Sequence, residues 1–140
     1  MNIEEMRQYV RHATETPIQC MTPHGQLSDN PVMRNVSKTG MCFTTGTKID
    51  PKSNVQLKIP FHGADVELLG TVMWCHDMES HFELGVRFDD NRPDTTTKMI
   101  EQICSVEEYR QQVKERERRQ ISSDEAAREW MEKFADGTVQ

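Results

Sequence analysis

Three stretches of strict alternation constrain this chain more than any other feature. In "VQLKI", Val55, Leu57 and Ile59 fall on one side with polar residues between them. In "VELLGTVMW", Val66, Leu68, Val72 and Trp74 do the same, with Gly70 in their row. In "FELGVRF" the row is Phe82, Leu84, Val86 and Phe88. A period of two sends alternate side chains to opposite faces of a strand, so each stretch predicts a strand with one buried face. A glycine inside such a row predicts a bulge or a sharp bend. "PIQCM", "PVMRNV" and "MCFTT" are shorter strand candidates. Turn residues separate the runs: Pro23-His24-Gly25, Asp29-Asn30-Pro31, Asp50-Pro51, His62-Gly63 and residues 76–80. Six or so short strands with tight connections over residues 16–90 predict a mainly β domain, an antiparallel barrel or sandwich.

Both flanks differ from this middle. Residues 1–15 are polar and lack a period, which predicts a flexible arm. From residue 94 the period changes. Asp94 is a helix N-cap candidate, Met99, Ile100 and Ile103 form a stripe, and Tyr109 and Val113 form an i,i+4 pair. "KERERRQ" has no apolar face and reads as solvated helix surface or linker. "SSDEAAREWMEKFA" opens with a capping box, Ser122 and Glu125. Ala127, Trp130, Met131 and Phe134 then repeat at helical spacing, an apolar stripe that needs a partner. The barrel, a second copy or another protein would serve. The expected organisation is therefore an arm over 1–15, a barrel with a following helix over 16–105, and a helical extension over 106–140.

Composition narrows the functional classes. The 140 residues carry a net charge of −6 and fit one domain. That balance argues against binding DNA or RNA through the phosphate backbone. Residues 1–48 hold five Lys/Arg against four Asp/Glu, and residues 49–140 hold 12 against 19. An anion would choose the N-terminal third. No run of 18 apolar residues predicts membrane insertion, and "MNIEEMRQYVRH" lacks an apolar leader, so the expectation is a cytoplasmic protein. Cys20, Cys42, Cys75 and Cys104 are far apart and form no C-x-x-C, which fits buried free thiols. No HExxH, G-x-S-x-G or P-loop occurs, so no catalytic residue and no metal site is assigned. Cys75-His76 with His81 comes nearest to a metal cluster, but solvated loop histidines are commoner.

Two motifs remain. "RQYVR" places Arg7 and Arg11 four apart just before the first strand, and guanidinium groups hold phosphates bidentately and stack on purines. "RNVSKTG" sets Asn35, Ser37 and Gly40 in a corner between strands, with Arg34 and Lys38 adding charge. Asn35-Val36-Ser37 also fits the glycosylation pattern, which requires secretion. Structurally, the same corner reads as Asn and Ser bonding their own backbone, with Gly40 permitting positive φ.

The succession R-x-x-x-R, strand, N-x-S-x-x-G, strands, "GTVMW", "FELGVRF" resembles the PilZ domain, a bacterial receptor family for cyclic di-GMP. The resemblance covers about residues 6–104. It implies a six-stranded antiparallel β-barrel followed by a helix, in agreement with the strand count. It also implies cyclic di-GMP as the ligand, with no cofactor, held by Arg7, Arg11, Asn35, Ser37 and Gly40. Arg34, Lys38 and Trp74 are further candidates. Met6 stands where the family often has a basic residue, and an apolar residue there tends to accompany one bound nucleotide. The expectation is a non-enzymatic receptor whose arm clamps onto ligand and signals to a protein partner in motility, biofilm or exopolysaccharide control. The alternative is a ligand-free adaptor acting through its helical tail, and a homodimer through that tail is a further expectation.

Overall fold

The computed structural model describes residues 12–135. It contains β1 (His12–Pro17), β2 (Gln19–Thr22), β3 (Gly25–Gln26), β4 (Val32–Val36), β5 (Gly40–Thr45), β6 (Asn54–Phe61), β7 (Ala64–Asp77) and β8 (Phe82–Phe88). Two helices follow, α1 (Asp94–Arg116) and α2 (Ser123–Trp130), and then a π-helical turn, Met131–Ala135. The strands form one antiparallel sheet in the order β1-β4-β5-β8-β7-β6-β2-β3.

The two ends of that order meet through the chain itself. β1 pairs with β4, and β2, one residue later, pairs with β6. β1 and β2 are one bent stave, which closes the sheet into a barrel of six staves. β3 is only a two-residue return against β2. Pro17, which has no N–H to give to a ladder, stands where the stave bends. The Ile18 N–H still bonds the Pro31 carbonyl at 3.0 Å, one step beyond the Pro17–Val32 pair, before β2 crosses to β6. The first strand begins at His12, so the last four residues of the expected arm are already barrel.

The alternation holds where it was expected. Val55, Leu57, Ile59 and Phe61 of β6 are buried, as are Val66, Leu68, Gly70 and Val72 of β7. The β7 row fails only at Trp74, which a register shift after Val72 turns to the other face, so that Cys75 packs against the core instead. Phe82, at the end of its row, is half-buried and packs there too. Phe43, Phe88, Met33, Met41, Leu57 and Leu84 are among the fully enclosed side chains. Each contributes roughly 1.5–3 kcal/mol by leaving water. "MCF" does not alternate because β5 is covered on both faces from Gly40 to Phe43.

Gly70 stays in regular register, opposite Phe88 and Val55. The bulge lies further on, between Val72 and Trp74. Gly70 is needed for space instead: a Cβ there would stand 2.5 Å from Val86 Cγ1 and 3.0 Å from the Arg87 carbonyl. Gly70→Ala should therefore destabilise the barrel by about 1–3 kcal/mol, as overpacking does. A urea midpoint equal to that of wild type would refute this.

Asp94 does not cap α1. Pro93 holds the N-cap position in extended conformation without a side-chain cap bond, and Asp94 sits in the first turn, where its charge opposes the helix dipole favourably. α1 runs without a break past residue 105, because Val106, Tyr109 and Val113 continue the buried side begun by Ile100 and Ile103. "ERRQ" is linker, with Arg118 at φ 55°. The Ser122 hydroxyl accepts the Glu125 N–H at 3.1 Å and donates to Glu125 Oε1 at 3.3 Å, so the expected cap forms.

α2 packs on α1 and β1. Ala126 and Ala127 are buried and Trp130 packs against the core cluster, whereas Met131 stays 40% exposed. The Phe134 side chain lies outside the described residues. The stripe thus finds its partner largely within the same chain. A polar seam runs beneath it. Glu107, only 4% exposed, accepts the Ser123 hydroxyl at 2.8 Å and Arg110 at 3.2 Å. Arg110 Nε donates to the Ile121 carbonyl at 2.9 Å, and Thr16 donates to Ser123 at 3.5 Å. α1, α2 and β1 are joined by these bonds. The four cysteines are free. Burial pushes the Cys20 thiol up to about 12 and Cys104 to about 11, so both remain protonated thiols.

Candidate functional site

Arg7 and Arg11, together with Met6, lie outside the described residues. The remaining candidates sit on β4, on the turn after it, at the start of β5, and on β7. Register places several of them in one line across the sheet. Ala13 pairs with Asn35, Asn35 with Cys42, Cys42 with Gly85, and Gly85 with Trp74. The next line, Val36, Met41, Val86 and Val72, is wholly buried in the core. Directly paired residues share a face and their strand neighbours take the other. Asn35 and Trp74 therefore stand on the outer face, in the same line.

Gly85 brings them nearer. A Cβ on Gly85 would fall within the Trp74 indole, so the ring lies over this glycine, one strand closer to Asn35. Two strand spacings, roughly 10 Å, then separate Gly85 from Asn35. His76 stacks on the indole with ring centroids 4.5 Å apart and planes 27° apart. The outer face thus offers an aromatic platform and an amide in one strip.

The turn after β4 is held from three sides. The Ser37 N–H bonds the Gly40 carbonyl at 2.8 Å. The Phe88 N–H bonds the Thr39 carbonyl at 2.8 Å. Arg92 reaches the Lys38 carbonyl at 3.3 Å and the Asp89 carbonyl at 2.8 Å. Ser37 is fully buried, and its hydroxyl accepts the Thr39 N–H at 3.3 Å and lies 3.4 Å from the Gly40 carbonyl. Its hydroxyl knits the turn. Gly40 does not use positive φ: among the described glycines only Gly25 and Gly63 do. The turn is complete by Thr39, and Gly40 is already the first residue of β5, opposite Arg87.

Lys38 is exposed at the turn. Arg34 is the bulge residue between Met33 and Asn35, exposed, with Nε donating to the Thr44 hydroxyl at 3.0 Å. Two features escaped the sequence. Arg92 reads as an ordinary loop cation, and its service to the turn comes only from the packing of the β8–α1 connection. Gly85 in "ELGVR" carried a signal, since a glycine in a strand marks a close approach. Among the described residues, no three His, Cys, Asp or Glu side chains group as a metal site. No helix among the described residues is long and apolar enough to cross a membrane.

The described residues thus form a curled antiparallel barrel whose outer face sets an indole and an amide in one strip beside a braced corner. The sequence profile of the PilZ domain matches residues 5–105, and the chain belongs to that family. No curated protein matches the sequence significantly. Among solved structures, the c-di-GMP-bound PilZ domain of YcgR from Escherichia coli superposes with a TM-score of 0.64 at 14% identity, over 81% of this chain and 98% of that one. The Bacillus subtilis inhibitor of motility, MotI/DgrA, gives 0.59 at 17% identity, over 79% of this chain and 52% of its own. The K. pneumonia MrkH complex with c-di-GMP gives 0.55 at 16% identity, over 69% and 50%. The chain spans about half the length of MotI and MrkH, and nearly all of the YcgR domain.

Proposed function

We propose that this chain is a cyclic di-GMP receptor with no catalytic step of its own. The observation that carries the reading is the line across the barrel that sets Asn35 and Trp74 on one outer face, beside the strand that Arg7 and Arg11 precede. A cyclic dinucleotide brings two phosphates and two guanines. Arg7 and Arg11 take phosphate and stack on guanine. Asn35 meets a guanine edge and the Trp74 ring a guanine face. Ser37 and Gly40 hold the corner in shape, and Lys38 adds charge at its tip. Ligand draws the arm onto the barrel, and the ordered arm is what a protein partner senses, in control of motility, biofilm or exopolysaccharide. The protein acts in the cytoplasm.

The adaptor reading has less support, because α2 spends most of its apolar side on its own α1 and β1. Calorimetric titration of the whole chain with cyclic di-GMP tests the proposal. The expected result is saturable binding at one nucleotide per chain, the ratio that Met6 implies. A ratio near two would overturn the stoichiometry, and absence of binding would leave the adaptor.

A further inference from the structure

We propose that the helical extension forms the second wall of the nucleotide site, with Lys114 binding a phosphate of the ligand. This rests on the cyclic di-GMP reading and extends it to residues beyond the matched family region, which ends at residue 105. A groove of about 680 Å³ runs between β1, β4, α1 and the α1–α2 connection. Its volume falls within the roughly 300–1,000 Å³ of small-ligand sites. Thr14, Glu15, Arg34, Arg110, Lys114 and Gln120 line it. Ala13, on the same wall, is the cross-strand partner of Asn35, and Arg34 is its chain neighbour. The groove therefore opens directly beside the outer strip.

Its charge suits an anion. Three cations face one carboxylate, Glu15. Arg110 is partly neutralised by buried Glu107, whereas Arg34 bonds a hydroxyl. Lys114 has no ion-pair partner among the described residues. Arg110 and Lys114 are four residues apart on α1, so they share a face. An exposed ammonium on a long stem suits a phosphate that arrives from solvent.

The test is cyclic di-GMP affinity for wild type, Lys114→Gln, Lys98→Gln and Arg11→Ala. Lys98 is exposed on the first turns of α1 and does not line the groove. Lys114→Gln should weaken binding roughly tenfold, the loss of one charge-assisted hydrogen bond. Lys98→Gln should bind as wild type, and Lys114→Arg should restore affinity. Lys114→Gln binding as tightly as wild type while Arg11→Ala binds weakly would overturn the helical wall and leave the receptor intact. Equal weakening by Lys98→Gln would also overturn it, by assigning the effect to net charge. Wild type without binding would sink both readings.

Discussion

Arg11→Ala is expected to weaken cyclic di-GMP binding by roughly ten- to a hundredfold and to leave the melting temperature nearly unchanged. A charge-assisted hydrogen bond is worth about 1.5–3 kcal/mol, and 1.4 kcal/mol is a factor of ten in affinity. Arg11 directly precedes β1 in sequence, and the first residues of β1 pair with Val36 and Asn35, next to the braced corner. Arginine is seldom a core residue, so the fold should survive the substitution. If Arg7 and Arg11 merely paired with surface acids, removal would change stability by under about 1 kcal/mol and leave affinity alone. Isothermal calorimetry and thermal melts on the same samples separate these outcomes. Ser37 is no substitute in this test, because its buried hydroxyl ties the turn and its loss would change fold and binding together.

Glu107→Ala should lower the free energy of unfolding by roughly 2–4 kcal/mol. Glu107 is buried with two partners, the Ser123 hydroxyl and the Arg110 guanidinium. Removing one member of a buried pair leaves the other charge uncompensated, which costs about 3–5 kcal/mol in a fully enclosed site. Arg110 is about a quarter exposed, so water recovers part of that cost. Glu107→Gln keeps an acceptor for Ser123 and should lose less. Urea titration reads the difference, and an unchanged midpoint for Glu107→Ala would refute the seam as a fastening of α2.

The legible parts of this fold were those that local rules decide. Val55, Leu57 and Ile59, and the corresponding rows of β7 and β8, follow from a period that any half-buried strand must show. Ser122 and Glu125 were legible because a cap needs only neighbours in sequence. The bend at Ile18 was not, because barrel closure sets it over long range. Gly70 was misread as a bulge because a glycine signals close approach as well as irregularity, and only Val86 decides between them. Asp94 lost the cap position to Pro93 by one residue. In the candidate site, the motif residues stand out by type, but Gly40 looked like a turn glycine because the turn's end was invisible. Glu107 gave no signal, since its burial arises where β1, α1 and α2 meet.

The single stave that closes the barrel has a consequence for how this protein meets others. An open sheet presents a row of unpaired N–H and C=O groups on which a second chain can build a further strand. Here β1 ends the sheet with β6 alongside it, and the other end is β3, two residues long. Strand addition therefore has almost no foothold at β3, for a regulatory partner or for a second copy drifting toward a fibril, and at β1 it meets β6 close by. A partner that docks at the β3 end has to recognise side chains, so its specificity is open to change by point substitution without disturbing the hydrogen-bonded frame.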